Sequence, residues 1–144
     1  MNERKTILVA DDDLFYREVV AAQLEGLGYA VVVVSSGAKA QRELQSGRRY
    51  DLAILDVFMA GKTGLEVLER FKESVDLCEA EDMPIVVISS DDSEETELRI
   101  RAARANMFLL KPFTKEALKE AVEQLLRLRT TPATTQGKEG SWPN

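Results

Sequence analysis

Two short apolar runs in this chain each end in aspartate. Ile7-Leu8-Val9-Ala10 leads into Asp11-Asp12-Asp13, and Leu52-Ala53-Ile54-Leu55 leads into Asp56. A buried strand that stops at a carboxylate delivers it to one rim of a sheet, and neighbouring strands lie roughly 4.8 Å apart. Carboxylates gathered at one rim repel, which favours a divalent cation among them. These residue types at this spacing suggest a Mg2+ site with one carboxylate to spare.

The elements that would position them alternate along the chain. Thr6–Ala10 reads as a strand buried on both faces. Leu14–Leu27 follows with helical spacing, placing Phe15, Val19 and Leu24 on one stripe and ending at Gly28. Tyr29–Val34 is a β-branched strand, Gly37–Gln45 a short helix closed by Gly47, and Asp51–Asp56 a third strand. Thr63 and Glu66 form a capping box for a helix over Gly64–Lys72, with Leu65, Leu68 and Phe71 facing inward. The polar stretch Glu73–Met83 reads as a long loop, and Pro84 opens a fourth strand over Ile85–Ser89. Ser93 caps a helix from Glu94 to Ala105, with acids in its first turn favoured by the helix dipole. Met107–Leu110 is a fifth strand, and Thr114 starts a last helix carrying Leu118, Val122, Leu125 and Leu126.

Five strands alternating with five helices predict a doubly wound α/β domain with a parallel sheet and helices on both faces. In such sheets ligands bind outside the carboxyl ends of the strands, where the strand order switches. For the flavodoxin-like order 2-1-3-4-5, that switch lies between strands one and three, the two that end in aspartates.

Composition narrows the chemistry. At 144 residues and 44% hydrophobic content the chain fits one domain, expected over residues 1–128. A disordered tail or linker is expected over 129–144, where periodicity stops and Trp142 stands alone. The single cysteine, Cys78, makes no internal disulfide, which fits a reducing, cytoplasmic setting. No apolar run approaches the ~20 residues of a membrane span. A formal charge of −6 argues against direct DNA binding, which rests on neutralising phosphates. The chain has no histidine, so Ser-His and Cys-His catalysis, imidazole-bound zinc and an internal phosphohistidine all drop out. Any histidine phosphodonor has to be another protein.

Four segments in order, Ile7–Asp13, Asp51–Asp56, Pro84–Ser90 and Leu109-Leu110-Lys111-Pro112-Phe113, resemble the receiver domain of two-component response regulators. The resemblance spans about Lys5 to Leu128. It implies that Asp56 accepts a phosphoryl group from a sensor histidine kinase or a histidine phosphotransfer protein. Asp11 and Asp12 match the acidic pair that holds Mg2+, with Asp12 favoured as direct ligand, and the backbone carbonyl of Phe58 matches the main-chain metal ligand. Ser89 matches the hydroxyl that bonds the phosphoryl group, and Lys111 the lysine that pairs with it, ahead of a peptide that is usually cis in the family. Phe108 takes the position of the switch aromatic. The side chains of Phe58 and Asp91 match the pair that tunes phosphoryl lifetime. Asp13, by contrast, reads as the cap of the first helix.

The loop after Asp56 departs from the family, with Ala60 where proline is usual and Thr63 where aspartate is frequent; Gly61 and Gly64 retain backbone freedom. The implied product is a signalling protein that catalyses only its own phosphorylation and dephosphorylation. Its output would pass to a downstream protein through the fourth helix, fifth strand and fifth helix, where Arg99, Arg101 and Arg104 lie. Two rivals share the fold expectation. One is a haloacid dehalogenase-type phosphatase using Asp11 and Asp13 as an Asp-x-Asp, with Asp11 as nucleophile; it leaves Asp56 without a role and needs a cap domain. The other is an interaction module that is never phosphorylated.

Overall fold

The structure is a computed structural model and describes residues 4–59, 63–78 and 83–130. The elements run β1 (Thr6–Ala10), α1 (Leu14–Gly26), β2 (Ala30–Val34), α2 (Gly37–Leu44), β3 (Leu52–Asp56), α3 (Gly64–Cys78), β4 (Ile85–Ser89), α4 (Glu94–Ala102), β5 (Met107–Leu110) and α5 (Lys115–Thr130). The strands form one parallel sheet in the order β2-β1-β3-β4-β5, as expected. Among the described residues no helix is long and apolar enough to cross a membrane.

Strand alternation divides the apolar side chains between two faces. Ile7, Val9, Leu52, Ile54, Val86, Ile88, Met107 and Leu109 pack under α1 and α5, against Val20, Leu24, Leu118 and Val122. Leu8, Ala10, Ala53, Leu55, Ile85 and Val87 pack on the opposite side against Ala40 of α2, Leu65 and Leu68 of α3, and Ile100 of α4. Both faces of the central strands are therefore dry, which is why their sequences read as continuous apolar runs.

The expected helix starts are formed. Asp13 Oδ1 accepts from the Phe15 amide, Ser36 Oγ from Lys39 and Ser93 Oγ from Thr96. The capping box is reciprocal: Thr63 Oγ1 accepts from Glu66 N at 3.1 Å, and Glu66 Oε1 accepts from Thr63 N at 3.0 Å.

Three expectations need correction. Helix α3 continues to Cys78, so Glu73–Cys78 is helical, not loop. No Gly or Pro interrupts that stretch, and Val75 extends the Leu68–Phe71 spacing. On α1 the inward residues are Val20 and Leu24, with Tyr16 partly buried below them, while Phe15 is 65% exposed. The pattern 16-20-24 keeps to one stripe, whereas 15-19-24 drifts off it. Helix α4 stops at Ala102 because Arg104 takes φ 68°, reversing the chain after the Ala103 cap. Elsewhere the boundaries differ from expectation by one or two residues, and α5 runs to Thr130. Of the tail expected over 129–144, Arg129 and Thr130 are helical and end α5; residues 131–144, Trp142 among them, and the Ala60-Gly61-Lys62 segment lie outside the described residues.

A left-handed backbone at a residue with a Cβ costs about 1–2 kcal/mol, and Gly escapes that cost. Arg104→Gly should therefore be more stable than Arg104→Ala by about 1 kcal/mol in urea unfolding, since both lose the arginine and only one keeps the strain. Equal stabilities would show that the turn carries none.

Candidate functional site

Parallel pairing of β1 with β3 sets Ala10 against Leu55, so the residues that follow emerge side by side. Alternation then selects which side chains meet. Asp11 continues the Ile7–Val9 series, Asp56 the Leu52–Ile54 series and Lys111 the Met107–Leu109 series, all on the α1/α5 side. Asp11, Asp12 and Asp56 each offer a carboxylate oxygen within 4.8 Å of the others. Asp11 and Asp56 are buried; Asp12 is exposed.

Lys111 closes the cluster. Its Nζ lies 2.9 Å from Asp11 Oδ2 and 3.3 Å from Asp56 Oδ2. The longer contact has hydrogen-bond geometry and the shorter does not, so Asp11 Oδ2 is paired by charge while its hydrogen-bonding direction stays unfilled. Asp11 Oδ1 accepts from the Asp13 amide at 2.9 Å, and Arg17 Nη1 donates to the Asp11 carbonyl at 3.0 Å. Asp11 is thus fixed from two sides, leaving Asp12 as the carboxylate most accessible from solvent. The ammonium also sits 4.2 Å from the centroid of the Tyr16 ring.

Charge and burial act on each group. Burial, with Asp11 beside it, pushes the Asp56 carboxyl up to about 7 against the opposing pull of Lys111. Burial alone would lower the Lys111 ammonium, but Asp11 and Asp56 overcome it and hold the group above its ordinary value. Three hard oxygen donors, one of them exposed, with a buried oxygen lacking a hydrogen bond, fit a divalent cation of the Mg2+ type.

Helix α3 backs directly onto the end of β3. Gly64 N donates to Val57 O at 3.0 Å, and a Cβ on Gly64 would lie 2.1 Å from the Asp56 carbonyl oxygen. Only a glycine permits this approach. The Lys111-Pro112 peptide is cis, and Lys111 N donates to Ser89 O at 2.7 Å, tying the ends of β4 and β5 together.

Ser89 faces another way. It follows the Ile85–Val87 series, and its Oγ accepts from the Asp91 amide at 2.9 Å. Asp91 Oδ1 accepts from Ser93 N and Oδ2 from the Thr96 hydroxyl, contacts that hold its carboxyl below the usual carboxylate range, Thr96 foremost. Phe108 is half-buried against the core on the α4 side, and the Phe58 side chain, just after β3, is 51% exposed. Sequence reasoning passed over two contributors. Tyr16 was hidden by the Phe15 stripe, although its spacing to Val20 and Leu24 marks it. The close contact of Gly64 is a long-range property with no local signal.

Because the Asp56 carboxyl is raised from 3.8 to about 7, the metal-free folded state binds more protons than the unfolded chain between those values. Stability from this group is then lost as pH rises through that window. Asp56→Asn should exceed wild type in urea stability above pH ~7 in chelator, with the gap closing towards pH ~4. Adding Mg2+ should narrow it by stabilising the wild type. A gap that does not change with pH would overturn this account, and the absence of histidine keeps the window free of imidazole titration.

Comparison with known proteins agrees with this geometry. The model of the response regulator receiver domain matches residues 7–123. Response regulator MprA of Mycolicibacterium vanbaalenii is 36% identical over 135 residues, covering 94% of this chain and 55% of its own length. The chain thus spans about half the length of the curated relatives it matches. Response regulator TrrA of Thermotoga maritima, solved in complex with Mg(2+)-BeF, superposes with a TM-score of 0.73 at 32% identity, over 84% of this chain and 98% of that one. Chemotaxis protein CheY4 of Vibrio cholerae gives 0.76 at 27% identity, over 85% and 99%. Sheet order, carboxylate cluster and sequence match converge: the chain belongs to the response regulator receiver domain family.

Proposed function

We propose that this domain accepts a phosphoryl group on Asp56 from a histidine kinase or a histidine phosphotransfer protein and passes the change to a partner protein. The observation that carries the reading is the carboxylate cluster of Asp11, Asp12 and Asp56 closed by the Lys111 ammonium. The Mg(2+)-BeF complex of the Thermotoga relative supports a site of the same kind here.

Asp11, Asp12, Asp56 and the Phe58 carbonyl would hold Mg2+. When bound, the cation neutralises charge on the carboxylates and on the incoming phosphoryl oxygens. The Asp56 oxygen attacks phosphorus; the new P–O bond forms as the P–N bond to the donor imidazole breaks, and the imidazole leaves with a proton from solvent. Lys111 offers its ammonium to charge growing on the phosphoryl oxygens, preorganised where it already faces Asp56. Asp11 is a poor nucleophile by comparison, since one oxygen holds the Asp13 amide and the other faces Lys111. That disfavours the phosphatase reading, which the family membership also opposes.

Ser89 supplies the readout. Its oxygen accepts from Asp91 N, which leaves the hydroxyl proton available to a phosphoryl oxygen, and a turn towards Asp56 would release that amide. Asp91 is held by Ser93 and Thr96 at the start of α4, so the change propagates to α4, β5 and α5. Phe108 lies half-buried beneath this face, and Leu98 and Leu110 are exposed on it. The chain up to the end of α5 acts as the switching unit and residues 131–144 as a tail or linker.

Incubation with acetyl phosphate and Mg2+ should add one phosphoryl group by intact mass, absent in Asp56→Asn and in chelator. Loss in Asp11→Asn with continuing substrate turnover would instead indicate the phosphatase, and no adduct from acetyl phosphate or a kinase would indicate the inert module. Phe58 shields the acyl phosphate from water. Phe58→Asn should shorten its lifetime by up to about tenfold, equivalent to ~1.4 kcal/mol of barrier; a slower variant would sink the shielding role.

A further inference from the structure

We propose that Tyr16 is a positioning residue for Lys111, its ring face holding the ammonium over Asp11 and Asp56. This role rests on Asp56 being the acceptor.

The Lys111 Nζ is 4.2 Å from the Tyr16 ring centroid, inside the roughly 6 Å over which a ring face attracts a cation. The lysine side chain is 10% exposed, so water competes little for the ammonium and the attraction is correspondingly stronger. The ring is itself fixed. Phe113 lies 5.8 Å away in a tilted contact, and Phe15 meets it edge-on at 5.6 Å with planes at 85°. Phe113 follows the cis Lys111-Pro112 peptide, so the ring is anchored to the segment whose lysine it holds. Without the ring, both carboxylates still attract the ammonium, but it loses the contact that fixes it on the α1 side. A four-carbon stem with several rotatable bonds then samples positions outside the cluster. Tyr16 therefore narrows where the positive charge sits when the phosphoryl group arrives. The phenol oxygen takes no part in this, which makes phenylalanine an adequate substitute.

Tyr16→Leu and Tyr16→Phe in the full chain test the assignment. In the protein alone, the ε-methylene protons of Lys111 should resonate upfield through the ring current in wild type and Tyr16→Phe, and return to ordinary values in Tyr16→Leu. With acetyl phosphate and Mg2+, Tyr16→Leu should phosphorylate about tenfold more slowly and Tyr16→Phe within about twofold of wild type. In a Lys111→Met background, Tyr16→Leu should add no further loss. A phosphorylated wild type with an equally fast Tyr16→Leu, an additional loss in the Lys111→Met background, or no ring-current shift would each overturn the role of Tyr16 alone. A wild type that takes no phosphoryl group overturns the acceptor reading, and this role with it.

Discussion

Like-charge crowding at one rim of the sheet is the constraint on which the rest of this structure turns. Three carboxylates within 4.8 Å of one another repel by roughly 3 kcal/mol per ionised pair at an effective dielectric of about 20. A domain of this size has only about 5–15 kcal/mol of net stability, so the cluster consumes a large share unless it is relieved. Lys111 relieves it in part. Burial first, and Asp11 beside it second, keep the Asp56 carboxyl raised, so the compensation by Lys111 is incomplete. The site is therefore electrostatically frustrated, and a cation or a proton would relieve it.

The fold imposes this crowding through two simple periodicities. Parallel pairing of β1 with β3 at the switch in strand order brings two carboxyl ends together, and the two-residue alternation of strands sends Asp11, Asp56 and Lys111 to one side. A one-residue shift in any of the three strands would send its functional side chain to the other face. The dry packing beneath, Ile7, Val9, Leu52, Ile54, Met107 and Leu109, sets that register. Function here depends on core residues because they count off which face the charges occupy. Gly64 adds a second constraint, letting α3 press onto the Asp56 carbonyl where any side chain would collide.

What was legible in the sequence follows from the range of the interactions. Apolar runs ending in acids, the caps at Asp13, Thr63 and Ser93, and the Lys111-Pro112 pair are local signatures, and each formed as expected. Alternation of elements predicted a doubly wound parallel sheet, and the observed strand order is the flavodoxin-like one expected for it. The length of α3 was misjudged because polarity in Glu73–Asp76 masked an uninterrupted helical spacing. The inward stripe of α1 was assigned to Phe15 because a large aromatic outweighed a better-spaced tyrosine, and the same error concealed Tyr16 beside the lysine. The partners of Asp91 were illegible for a different reason. Several residues of that loop can accept or donate, and only the backbone path decides that Ser93 and Thr96 take both of its carboxylate oxygens.

The two sides of the sheet divide the work, and that division constrains how a signal can leave. The carboxylate cluster with Lys111, Tyr16 and Phe113 is built on the α1/α5 side, whereas Ser89 belongs to the series that packs under α3 and α4. On the proposed reading, a charge placed on Asp56 would be sensed across the end of β4, not along a continuous patch of surface. The Ser89 hydroxyl would be the short bridge, and its present bond to Asp91 N sets it on the α4 side. Two links follow within a few residues, Asp91 to Ser93 and Asp91 to Thr96, both at the first turn of α4. Lys111 is tied to the same place through its own amide on Ser89 O, so the ammonium and the hydroxyl share one backbone link. On the proposed reading, a change there would reach α4 first, through Asp91.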